Sequence, residues 1–105
     1  MQDEQRKRIQ NFLRNENYAS AKEVLASIQE TEADLDYWYY SAHIARKMGD
    51  LNQAEKFCTK AIVLHPNAHE LNFELGIIYQ TKGDYKNATA YIKKVVDGFS
   101  EETTF

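Results

Sequence analysis

The chain repeats itself at an interval of about 34 residues, and a self-repeat that short restricts the fold to a stack of similar small units. Laying MGDLNQAEKFCTKAIVLHPN over KGDYKNATAYIKKVVDGFSE superposes Gly49 on Gly83, Asp50 on Asp84, Ala54 on Ala88 and Lys60 on Lys94. Apolar residues recur at three- and four-residue steps on both sides of each Gly-Asp pair, so each unit reads as two helices joined by a tight turn. Gly49 can adopt the left-handed conformation that ends a helix, and the Asp50 carboxylate can accept from the free amides that open the next. Gly83 and Asp84 repeat that chemistry. Between units, Pro66 cannot continue the helix ending near Leu64, and Asn67 is the expected cap of the helix that follows. These signals predict helices at about 2–14, 18–30, 34–48, 51–64, 68–81 and 85–98, with no strand pattern.

With 105 residues there is room for one domain, and 43% hydrophobic with 28% charged residues is the composition of a folded chain. A formal net charge of -3 offers no general attraction to phosphate backbones or anionic bilayers, so neither nucleic acid nor a membrane is the expected partner. The basic cluster Arg6, Lys7 and Arg8 is flanked by Asp3 and Glu4 and reads as a solvated helix face. No apolar run is long enough to span a bilayer, and MQDEQRKRIQ lacks the apolar stretch of a secretory signal, so the expected location is cytoplasmic. Cys58 is the single cysteine and sits in an apolar stripe, as a small core residue would.

The second unit carries Trp38, Ala42, Ala54 and Pro66, and the third carries Leu75, Gly76, Tyr79 and Ala88. With these residues the chain resembles the tetratricopeptide repeat, whose pattern is W-x2-L-G-x2-Y, then A-x3-F, then P. The second unit departs at Ser41, Ala45 and Cys58, where the pattern prefers Leu, Tyr and Phe, which predicts that it packs less fully than most. The third has Asn72, Ile92 and Ser100 in place of Trp, Phe and Pro. The first keeps Ile9, Phe12, Ala21 and Leu25 at matching offsets but is one residue short, and NENY stands in for the Gly-Asp turn. Small residues at Ala42 and Ala54, and at Gly76 and Ala88, would let paired helices approach closely. Ala61 would do the same between units, with Trp38, Leu51, Phe57 and Tyr79 around it.

The resemblance implies an all-α fold, a short right-handed α-solenoid of about three helical hairpins forming one domain over 1–105, with units near 2–34, 35–68 and 69–102. It also implies a non-catalytic interaction module, a scaffold or adaptor that holds a protein or peptide segment in the concave groove lined by the first helix of each unit. Helical spacing puts Arg6 and Gln10, then Tyr39, Tyr40, His43, Arg46 and Lys47, then Phe73, Ile77 and Gln80 on that groove. Tyr39, Phe73 and Ile77 fall outside the family's core positions, so they are candidate apolar anchors. The competing reading is that Tyr37, Tyr39 and Tyr40 cover apolar surface between neighbouring helices. Family members that capture chaperone tails use Lys, Asn and Arg across three units. Here Arg6 and Gln10 stand at the first positions, Tyr40 replaces the central Asn, and Glu70 and Glu74 would repel a carboxylate.

No nucleophile with a base, phosphate-binding loop or ligand cluster accompanies these residues, so neither an enzyme nor a cofactor site is expected. His65 and His69 are separated by Pro66, which breaks the helical face a metal would need. His43 could form an acid-base pair with either Glu74 or Asp36, but with no nucleophile beside it a surface or groove histidine is the expected role. The last helix carries Ile92, Val95, Val96 and Phe99 with only SEETTF after its expected end, a stripe that calls for continuation into further repeats or for a homodimer through Ile92, Val96 and Phe99. The alternatives to peptide binding are therefore a self-assembly element that dimerises through terminal helices, or the recruitment segment of a larger enzyme.

Overall fold

A computed structural model describes the backbone of residues 1–102 and the side chains of residues 1–98. The described residues form six α-helices, α1 (Asp3–Arg14), α2 (Tyr18–Ala26), α3 (Leu35–Lys47), α4 (Leu51–Ile62), α5 (His69–Lys82) and α6 (Tyr85–Glu102), with a 3-10 turn at Glu30–Glu32 and no strand. Each helix packs on its neighbours in the chain, α3 also meets α5, and α1 and α3 are bridged by side chains rather than by close backbones. The side chain of Phe99 lies outside the described residues.

The Gly-Asp turns form as their chemistry dictates. Gly49 and Gly83 sit at φ 85° and 82°, and the amides of Asp50 and Asp84 donate back to the carbonyls of Ala45 and Tyr79 at 2.9 and 2.8 Å. Asp50 then accepts from the Gln53 amide at 3.1 Å and Asp84 from the Asn87 amide at 3.3 Å, opening α4 and α6. NENY builds the same turn without glycine. Glu16 takes φ 57°, the Asn17 amide donates to the Phe12 carbonyl at 2.8 Å, and Asn17 caps α2 through the Ser20 amide.

Four expectations are corrected. Helix α2 stops at Ala26 instead of residue 30, because the Ser27 hydroxyl donates to the Val24 carbonyl at 2.6 Å and the Ser27 and Ile28 amides donate only three residues back. Asn67 does not cap α5: Ala68 is the N-cap and has no side chain to offer. Helix α6 continues through Gly98 to Glu102, and Gly98 leaves room for His69, since a Cβ there would lie 2.3 Å from the His69 ring unless that ring moved. Gly76 makes room less for Ala88 than for Ile92, whose Cδ1 would be 2.5 Å from a Cβ at that position.

Two apolar clusters form the core. One gathers Ile9, Ala21, Val24, Leu25, Ile28 and Ile44 between the first hairpin and α3. The other gathers Trp38, Ala42, Ala54, Cys58, Ala61, Leu71, Leu75 and Ile78, with Phe57 and Tyr79 packed against it; Leu51 is not among them. Each fully buried Leu or Ile contributes about 2 kcal/mol relative to exposure. Cys58 is fully buried, and burial pushes its thiol up to about 12, as befits a core residue. Tyr37 touches both clusters. Behind it, Ser41 and Ala45 line a cavity of about 540 Å³ between α2, α3 and α4, while the third departure, Cys58, is fully packed.

Candidate functional site

The first helices of the hairpins are held in register by polar contacts. Asp34 caps α3 by accepting from the Tyr37 amide at 2.9 Å, and the same carboxylate takes the N-terminal ammonium at 2.9 Å. Arg6 Nε donates to Asp36 at 2.8 Å while its Nη1 donates to Asp3 at 2.7 Å, and Gln10 donates to the Tyr40 hydroxyl at 3.1 Å. Arg6, Gln10 and Tyr40, three of the expected groove residues, thus tie α1 to α3.

Between α3 and α5 the centre is Glu74, whose side chain is 2% exposed. Its Oε2 accepts from Arg46 Nε at 2.7 Å, its Oε1 accepts from Arg46 Nη2 at 3.2 Å, and Oε1 also lies 2.7 Å from His43 Nδ1. Burial alone would raise the Glu74 carboxyl, but the hydrogen bonds from His43 and Arg46 and the arginine charge outweigh it, and the group titrates below its ordinary range. Glu74 is therefore a carboxylate and His43 Nδ1 carries the proton. The 3.3 Å contact between Nδ1 and Arg46 Nη2 sets two donors side by side and is no hydrogen bond. Of the two carboxylates within sequence reach of His43, it pairs with Glu74, and Asp36 goes to Arg6. Arg46 Nη1 and His43 Nε2 take no part in the network.

The Tyr39 ring adjoins this pairing, 5.8 Å from His43 and 5.4 Å from Tyr40. On α5, Phe73 is 50% exposed, and Ile77, one turn further, is half-buried. Lys47 is exposed beyond Arg46. Gln80 stands apart from this group and lines a second cavity with Tyr85, Ala88 and Ile92. Sequence reasoning placed Glu74 on the groove as a charge that repels anions; it missed that the carboxylate is buried and saturated by two neighbours. The available signal was a His and an Arg three residues apart, facing an acid slightly less than one repeat later.

Residues 35–67 and 69–97, together more than half of the chain, match the tetratricopeptide repeat family. The chain belongs to the tetratricopeptide repeat family. Neither the curated proteins nor the solved structures gave a match. Tetratricopeptide repeats generally mediate protein–protein interaction, which is the coarse function of this fold. The first hairpin lies outside both matched stretches and yet closes through the same backbone turn as its neighbours. No helix among the described residues is long and apolar enough to cross a membrane.

Proposed function

We propose that this tetratricopeptide array is a non-catalytic cytoplasmic module that holds a peptide segment of a partner protein on the face formed by α1, α3 and α5. The observation that carries the reading is the exposure of Phe73 on α5, with Ile77 one turn further on the same helix and Tyr39 against His43 on α3. Aromatic and aliphatic anchors of this kind commonly supply most of a peptide's binding energy. The Glu74 pairing engages Arg46 Nε, one Nη2 hydrogen and His43 Nδ1, so these residues are fixed in place and still offer the remaining Arg46 Nη1 and Nη2 hydrogens and His43 Nε2 to a peptide carbonyl or carboxylate. Lys47 supplies a further charge at one end, and Arg6 and Gln10 border the other.

The decisive experiment is titration of a captured partner peptide against the protein and its Tyr39→Ala/Phe73→Ala variant. The expected loss is about 2 kcal/mol, more than tenfold in affinity. Unchanged affinity in a variant that remains folded removes the groove reading.

A second reading, self-association, is favoured by one observation on α6. Tyr85 and Val96 are 68% and 56% exposed beside the cavity of about 590 Å³ that Ala88 and Ile92 also line. One repeat earlier, Leu51, Ala54, Cys58 and Ile62 of α4 are their counterparts, and α4 is the helix on which α5 packs. The α6 face is thus built like one that receives a helix.

A further inference from the structure

The cavity between α2, α3 and α4 has an occupied counterpart one repeat further along the same chain. There Tyr79 stacks on Tyr91 at 5.6 Å and 14° and donates its hydroxyl to Glu55 at 3.0 Å, and Lys82 donates to the same carboxylate at 2.6 Å. In the earlier seat Ala45 takes the place of Tyr79, Phe57 of Tyr91, Met48 of Lys82, Lys22 of Glu55 and Ser41 of Leu75. Every one of the replacing residues lines the cavity of about 540 Å³. The ring is missing, its platform is kept, and the polar group at the rim has changed from an acceptor to a donor.

A second observation points to a ligand with a polar group. Ser41 is only 6% exposed, yet its hydroxyl makes no hydrogen bond to the protein, and it faces this cavity. The hydroxyl oxygen keeps some contact with solvent, and a ligand hydroxyl in the cavity can take the place of the water there. Leu25, Ile44 and Phe57 give apolar walls, Gln53 adds a polar one, and the volume falls in the range of small-molecule sites.

We infer that this cavity binds a single-ring phenol. The ring lies against Phe57 where Tyr79 lies against Tyr91, with its oxygen turned inward to Ser41 Oγ and the Lys22 side chain at the rim. Asp50 also borders the rim but is engaged as the cap of α4. The site involves α2 and α4, which take no part in the peptide groove, so it is independent of the reading given above.

The test uses p-cresol, the tyrosine side chain as a free molecule, followed by amide chemical shifts and thermal unfolding of the whole chain. The expected result is saturable shifts at Ser41, Ala45 and Phe57, with toluene binding about tenfold more weakly and Ser41→Ala narrowing that gap. Ala45→Tyr fills the seat covalently and should weaken p-cresol binding at least about tenfold. Ser41→Leu, the other cavity-filling change, should do the same, and Tyr39→Ala/Phe73→Ala should leave it unchanged. The inference is overturned if no saturable shifts occur, if they fall at Gln80, Ala88 and Val96, if toluene binds as well as p-cresol, or if the filled variants bind like the parent.

Discussion

Glu16 bears a local backbone cost that the two later turns avoid. It is the single non-glycine residue at positive φ among those described, and it stands where the later hairpins place Gly49 and Gly83. A side chain in the left-handed region costs about 1–2 kcal/mol, part of which glycine would give back as extra freedom of the unfolded chain. Glu16→Gly should therefore raise the unfolding free energy by about 1 kcal/mol in urea titration, with no change in partner binding, since Glu16 is exposed in a turn. A neutral or destabilising result would mean that the Asn17-to-Phe12 closure does not depend on the conformation at Glu16. The turn was legible at Gly49-Asp50 and Gly83-Asp84, where residue type alone dictates the conformation. At NENY it was legible only through position, because nothing about glutamate announces a left-handed residue. Cys58 was readable as core because small apolar residues within a helical stripe rarely point elsewhere.

At the scale of elements, the α3–α5 contact rests on Glu74. Its carboxyl is depressed in the folded protein, so it stabilises the fold at pH values above the ordinary carboxylate value of 4.5, and this contribution is lost as pH falls through the lower folded value. Asp34 and Glu55 are depressed as well and lose stability in the same acid window. Urea unfolding should weaken on acidification below about pH 4.5, and Glu74→Gln should flatten that dependence. At neutral pH, Glu74→Ala should cost about 3 kcal/mol, because it strands the partly buried Arg46 guanidinium without its counter-charge. An Ala variant as stable as the parent would show that Arg46 finds another partner. Helix boundaries were readable where a cap was encoded by side chain, as at Asp50 and Asp84. They were misread where backbone and tertiary contacts decided. Ser27 ends α2 by bonding within its own turn, and α6 runs past Gly98 because the glycine accommodates the His69 ring rather than ending the helix. The candidate groove residues were nameable by helical spacing, but their mutual pairing was not, since pairing depends on how neighbouring hairpins are rotated against each other.

Across the whole molecule, the outer faces of the first and last helices differ in chemistry. Where α3 turns Tyr37, Ser41 and Ile44 toward the preceding hairpin, α1 carries Glu4, Arg8 and Asn11 at the corresponding positions, all exposed. Stacking α6 of one copy on α1 of another would bury those charges without evident partners, so a head-to-tail chain of copies is disfavoured. An isologous contact, α6 against α6 about a two-fold axis, instead joins Tyr85, Ile92 and Val96 to their own images. Lys93 borders the same cavity and limits the strength of such a pair, since a two-fold axis brings like charges together. The expected behaviour is a weak monomer–dimer equilibrium in sedimentation that strengthens with salt. Val96→Lys should return the protein to monomer across the concentration range while leaving its thermal unfolding nearly unchanged, because Val96 is mostly exposed in the single chain. A parent that stays monomeric at high concentration and high salt, or a dimer that survives Val96→Lys, removes self-association through α6.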